Sequence, residues 1–249
     1  MRVRSFLVRI LSLASVSVVI AACSIELGFG PEFVEGSGQV ETQVFDLDPF
    51  RNVEIGSQFT AVITYEPNGI ELVEVTADDN FFALLQVEVN EETLVVRSEP
   101  DVSFKDFAEL GIRIRTQTLE TVEVSGASRV EVDANNGPDL DYLRVSGASV
   151  VSVVDAAASS IDVRVSGAST VSVVGIADLL DLDVSGASEV DLSELEVERA
   201  SVSLSGASAA SIAPAETVSG RVGGASELIL PEGVGDDVEL GGASTLTNR

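Results

Sequence analysis

From residue 121 onward, apolar and small polar positions alternate in short arms joined by a Gly-Ala-Ser word. Before the words come Val122/Val124, Leu143/Val145, Val163/Val165, Leu182/Val184 and Val202/Leu204. After them come Val130/Val132, Val151/Val153, Val171/Val173, Val190/Leu192, Ala210/Ile212 and Leu228/Leu230. A period of two on both arms predicts strand, turn, strand, with one face of each strand buried. The glycine of the word recurs at Gly126, Gly147, Gly167, Gly186, Gly206, Gly224 and Gly242, in steps of 18 to 21 residues. So regular a period marks stacked coils.

The residue types decide which coils. No segment carries an i, i+3, i+4 apolar stripe, so helical repeats are excluded. The spaced leucines and asparagine of leucine-rich repeats are missing, as is the Gly-Gly-x-Gly-x-Asp of calcium-binding nonapeptides. What remains is an all-β fold, a single-stranded parallel β-helix (β-solenoid) of about 20 residues per coil, with strands ~4.8 Å apart. In such a stack each corner residue sees its own kind above and below. Glycine there takes backbone angles closed to other residues, and alanine fits a narrowing interior. Flanking serines form hydroxyl ladders or cap loose backbone groups. The seven glycines are therefore structural turn residues, not an active site.

The outward position of the arm before each word reads Glu123, Arg144, Arg164, Asp183, Ser203, Arg221 and Glu239. This register sets Glu123 beside Arg144, Arg164 beside Asp183, and Arg221 beside Glu239, as stabilising cross-strand pairs. Residues 44–120 lack the repeated word but alternate in "FRNVEIGSQFTAVITYE", "IELVEVTA", "LLQVEVNEETLVVRS" and "LGIRIRTQ". "EPNG" and "VNEET" read as turns, and "DDNFFALLQ" as one short helical turn. This half is expected to form irregular earlier coils, rich in phenylalanine, at a capped end. A separate small β domain is the alternative. With residues 121–249 as seven regular repeats, the body over 44–249 amounts to roughly ten coils and about 50 Å of stacked strands.

The opening follows other rules. Residues 1–22 have a basic start and an apolar stretch of about 13 residues, shorter than the ~20 that a spanning helix needs. They read as a cleaved signal peptide. Ile20-Ala21-Ala22-Cys23 resembles a bacterial lipobox, which makes Cys23 the lipidation site and the bilayer a partner through its acyl chains. In a cell with two membranes, Ser24 rather than Asp after the cysteine resembles an outer-membrane lipoprotein more than one retained at the inner membrane; otherwise the expected place is the outer face of the cell membrane. Residues 23–43, with Gly, Glu and little periodicity, read as a flexible tether.

Composition narrows the partners. The 249 residues carry 41 Asp+Glu against 14 Lys+Arg, a net charge of −27. Such a surface repels nucleic acid and anionic headgroups. There is no histidine or tryptophan, so the commonest general acid-base group and metal ligand is missing. A single cysteine excludes an intramolecular disulfide.

"FRNVEI", "DDNFFALLQVEV" with "ETLVVRS", and "IRIRTQTLETVEVSGASRVEV" leading into repeated Ser-Gly-Ala-Ser words resemble the bacterial putative auto-transporter adhesin head, GIN domain family. The resemblance covers about residues 45–249. It implies a right-handed parallel β-helix, often lipid-anchored or exported, with no established enzymatic activity and no catalytic residues to carry over. The last two repeats depart from the pattern as Gly-Gly-Ala-Ser, which puts the corner serine ladder in question there.

Candidate chemistry is thin. The densest acid pairs for a polysaccharide-cleaving enzyme are Asp139/Asp141, Asp181/Asp183 and Asp236/Asp237. Solvated strand faces account for them more simply, so no catalytic residue is assigned. Calcium is a weak candidate ligand around Asp155, Asp178 and Glu196, without the dense spacing of a dedicated loop; no cofactor and no metal residue are assigned. The column Arg129, Val150, Thr170, Glu189, Ala209, Glu227, Thr245 is too mixed for an ice-binding face. At the far end, "ASTLTNR" either blunts an open stack or meets a second molecule, leaving the oligomeric state open. The sequence thus points to a non-catalytic, lipid-anchored envelope module for adhesion to a cell-wall or extracellular polymer. A self-assembling envelope protein is the alternative, and a polysaccharide-acting enzyme a remote one.

Overall fold

Short β-branched arms and recurrent glycine produce a body made almost wholly of strands. The computed structural model describes residues 31–135, 137, 140–213 and 216–249. The N-terminal half contains β1 (Glu32–Glu35), β2 (Val40–Phe45), β3 (Asn52–Ile55), β4 (Thr60–Tyr65) and β5 (Leu72–Asp78). A 3-10 turn at Asp79–Leu84 follows, then β6 (Leu85–Asn90), β7 (Thr93–Ser98), β8 (Val102–Lys105) and β9 (Leu110–Thr116). The repeat half starts with β10 (Thr121–Val124), β11 (Arg129–Asp133) and β12 (Tyr142–Val145). Three long strands come next: β13 (Val150–Val165), β14 (Thr170–Val184) and β15 (Glu189–Leu204). β16 (Ala209–Ile212), β17 (Thr217–Val222), β18 (Glu227–Leu230), β19 (Gly235–Leu240) and β20 (Thr245–Asn248) complete the chain.

The repeat half is a parallel β-solenoid of about six turns with ~20-residue coils. Two lanes run its length. The lane before each corner stacks β3, β10 and β12, the later parts of β13, β14 and β15, then β17 and β19. The lane after it stacks β4, β11, the early parts of the same three strands, then β16, β18 and β20. Counterparts lie in register: Val124 on Val145, Val145 on Val165, Val165 on Val184, and Val184 on Leu204, all buried. Each such side chain contributes about 1.5–3 kcal/mol by burial. The three long strands continue across a second bend, where Asp155 (φ 55°) and register shifts after Val153 and Ser172 break the ladder.

Ten successive coils do not form, because the N-terminal half is not wound in order. β3 lies between β7 and β10, and β4 between β9 and β11. The chain leaves the stack after β4, runs antiparallel along β9 as β5, and returns through the antiparallel hairpin β6–β7. That hairpin turns on Glu91 (φ 48°) and Glu92 (φ 64°), a two-residue loop that reverses direction. A parallel coil cannot use such a turn. The two halves nonetheless share one apolar core, from Phe50 to Leu230, within a single compact unit over Pro31–Arg249. Phe81 stacks on Phe104 at 4.0 Å and meets Phe107 edge-on.

The tether expected over residues 23–43 is corrected from Glu32 onward. β1 pairs in parallel with β8, and β2 pairs antiparallel with β5. Val34 packs into the core opposite Phe104, and Lys105, the chain's single lysine, holds Glu35 at 2.8 Å. Lys105's hydrogen bond and charge keep the Glu35 carboxyl below its ordinary pKa.

Candidate functional site

The repeat concentrates its identity at the corners. Each of the seven glycines has φ between +71° and +83°. A Cβ on any of them would lie 2.1–2.6 Å from the carbonyl oxygen of the corner on the adjoining rung. That oxygen already accepts a hydrogen bond: Ala168 N donates to Gly147 O at 2.8 Å, and Ala187 N to Gly167 O at 2.8 Å.

The alanine is outside, not inside. Ala127, Ala148, Ala168 and their equivalents are exposed, whereas Ser128, Ser149, Ser169, Ser188, Ser208 and Ser226 are buried. The serine faces inward because its hydroxyl has a partner three residues back. Ser169 Oγ donates to Ser166 O at 3.0 Å, and Ser188 Oγ to Ser185 O at 3.0 Å. These bonds cap the turn with backbone acceptors. The Gly-Gly-Ala-Ser departure therefore costs nothing at the last corner, where Ser244 Oγ donates to Gly241 O at 2.8 Å.

The first corner, Gly56-Ser57-Gln58-Phe59, lacks the word. Ser57 occupies the glycine position with φ 69°, and Phe59 fills the serine position, fully buried. Ser57 bonds Ser98 through its hydroxyl at 2.8 Å.

Outward side chains follow the expected register but not all the expected bonds. Glu123 faces Arg144, Arg164 faces Asp183, and Arg221 faces Glu239. Only Arg221 closes its pair, at 2.7 Å. Arg164 turns instead to Asp162 on its own strand at 2.8 Å and lies 5.5 Å from the Tyr142 ring centroid. Being two residues apart on one strand, Asp162 and Arg164 share a face.

Two of the acid pairs lie wholly on described strands, and both are exposed. Asp181 and Asp183 are exposed on one face of β14, and Asp236 and Asp237 are exposed on β19. Asp139 lies outside the described residues, as does Cys23. Among the described residues no three acids converge as metal ligands, and this includes Asp155, Asp178 and Glu196.

Two features escaped the sequence. Asp78 is fully buried at the end of β5. Its Oδ2 accepts from Gly38 N at 2.8 Å, and its Oδ1 from Ala108 N at 3.0 Å and Glu109 N at 3.4 Å. It ties the N-terminal segment to the loop before β9. Nothing in "TADDNFF" distinguishes it from the other acids. The second feature is a groove of about 460 Å³ on the outer face of β5, β9 and β4. Thr60, Val62, Glu74, Thr76 and Arg113 line it, with Phe107 at one wall. Arg113 holds Glu74 across strands at 3.0 Å.

The family model described as "Putative auto-transporter adhesin, head GIN domain" matches residues 49–230. No curated protein matches the chain. Among solved structures, a putative adhesin from Bacteroides fragilis superposes with a TM-score of 0.79 at 18% identity, covering 87% of this chain and 100% of its own. A putative lipid binding protein from Parabacteroides distasonis gives 0.68 at 12% identity, covering 88% and 100%. A putative adhesin from Parabacteroides merdae gives 0.60 at 15% identity, covering 87% and 99%. At such identities these likenesses establish the shared fold.

Proposed function

We infer the function from one premise: the chain belongs to the putative auto-transporter adhesin, head GIN domain family. It acts as a non-catalytic, exported lipoprotein that presents a rigid acidic solenoid to a polymeric partner in the cell envelope or outside the cell. The observation that carries this reading is the outer surface. Its outward side chains, mixed in kind, stand at regular strand spacing over successive rungs, which suits an extended chain better than a compact metabolite. Among the described residues no group of three or more acids converges as a metal-ligand set.

Lipidation at Cys23 places the protein at a membrane, at the outer membrane or the outer face of the cell membrane. Cys23→Ser is expected to abolish incorporation of labelled fatty acid and to move the protein from the membrane to the soluble fraction. Retention in the membrane fraction, unlabelled, would point to an uncleaved anchor instead.

Polymer binding is tested by co-sedimentation. A soluble form of residues 24–249 is mixed with purified cell-wall and exopolysaccharide fractions, with and without calcium. Saturable binding supports the reading, and binding that needs calcium would add a cation to it. Absence of binding in every fraction removes it.

Self-assembly is the second reading, and one observation favours it. Among the described residues β19 pairs with β17 alone and β20 with β18 alone, so within that set each has one unpaired edge. Leu240, on β19, is 51% exposed. Open edges accept further strands.

A further inference from the structure

Gly111 is unlike the corner glycines. It is the second residue of β9, in register with Thr60 of β4 on one side and Thr76 of β5 on the other. Its φ is not positive. A Cβ there would meet Glu109 Oε1 at 3.4 Å and the carbonyl oxygens of Thr60 and Thr76 at 3.9 Å, all ordinary contacts. Neither backbone conformation nor packing requires glycine. Glycine inside a strand weakens it, and it commonly marks a close approach by a ligand or another backbone. Gly111 lies in the lining of the 460 Å³ groove, where its missing side chain keeps the floor open.

The lining states what the groove accepts. β9 is hydrogen-bonded on both edges, to β4 and to β5, so the floor offers no free ladder to an extended peptide. Recognition falls to side chains: the Thr60 and Thr76 hydroxyls, the Gln58 amide, the Glu74 and Glu109 carboxylates and the Arg113 guanidinium. Together they supply donors and acceptors in mixed order. Glu74 occupies Arg113, and Glu109 leaves the groove net negative, which disfavours uronates, sulfates and phosphates. Val62, 40% exposed, and the Phe107 wall add apolar surface. A pyranose ring has this same alternation, hydroxyls at its rim and C–H groups on its faces. The volume lies within the ~300–1,000 Å³ of small-molecule sites.

We propose that the Gly111 groove is the glycan-binding site of this protein and takes a short segment of a neutral polysaccharide. The proposal rests on the polymer-binding reading above and names its site and ligand class.

The test is calorimetric titration of the full chain, in a zwitterionic detergent, with cello-, manno- and maltohexaose, and with hexagalacturonate as the charged comparison. The wild type should bind at least one neutral hexaose and not the galacturonate. Gly111→Val fills the floor with a side chain suited to a strand. It should weaken binding at least tenfold while leaving the urea midpoint unchanged or raised. Arg113→Gln, at an exposed position, serves as the second variant if Gly111→Val does not fold, and should weaken binding as well.

Equal affinity in a folded Gly111→Val overturns the site while the polymer-binding module stands. Binding only of galacturonate, or only of wall-associated peptide, overturns the ligand class and likewise spares the module. If no hexaose and no wall fraction binds, both readings fall together.

Discussion

Gly167→Ala unfolds the solenoid or destabilises it by about 3–5 kcal/mol, whereas Gly233→Ala costs about 1 kcal/mol. Both glycines have left-handed backbone, with φ of +83° and +85°. Alanine at either site carries the strain of that conformation. They differ in surroundings. Around Gly233 an added Cβ meets nothing within 4 Å, while at Gly167 it lies 2.3 Å from Gly147 O. That oxygen cannot move aside, because Ala168 N already donates to it at 2.8 Å. Relieving the clash means parting two rungs at a corner, and the neighbouring corners repeat the same contact. Urea unfolding followed by circular dichroism measures the two variants at a common slope. Equal small losses would show that stacking at the corner is not what demands glycine.

Asp78→Ala destabilises the N-terminal half by about 3–5 kcal/mol and frees the segment before β2 to protease. A buried carboxylate that accepts three backbone N–H groups leaves them without partners when it is removed. An unpartnered buried donor costs about 1–3 kcal/mol, and more when the lost acceptor was charged. Gly36 packs so closely that a Cβ on it would overlap Asp78 Oδ2, so rearrangement has little room. Asp78→Asn keeps one oxygen but turns an amide N–H toward a backbone N–H, and should fall between wild type and alanine. The readout is the urea midpoint together with the cleavage rate between residues 31 and 39. A loss under about 1 kcal/mol in Asp78→Ala would mean that water or the chain replaces those bonds.

The repeat half was legible because its valines and leucines keep one parity through every coil. The same parity held the answer at the corner. Counting from Val124 to Val130 puts Ser128 on the buried side and Ala127 on the other, although size alone favours alanine inside. Where all three residues are small, hydrophobicity carries little signal, and the serine's backbone partners decide.

The N-terminal half was legible as strands but not as an order of strands. Alternation has the same period in parallel and antiparallel ladders, so "IELVEVTA" did not reveal that β5 runs back along β9. Only the two-residue turn at Glu91-Glu92 marked a reversal. β1 and β2 were lost for another reason. In "EFVE" and "VETQVF" the inward positions are few and flanked by glutamate, and Val34 finds its partner Phe104 some seventy residues away. As for the candidate site, Gly111 is visible in "LGIRIRT" as a glycine inside a strand pattern. What separates it from a corner glycine is the space around it, which only the fold supplies.

The most direct test of the account is a titration of the lipid-free body, residues 24–249, with solubilised envelope polysaccharide, its mass followed by light scattering. The account predicts a single saturable isotherm, with free protein that stays monomeric as its concentration rises. No heat at any polymer concentration, with a mass that climbs with protein concentration, would contradict it and leave a self-assembling solenoid in its place.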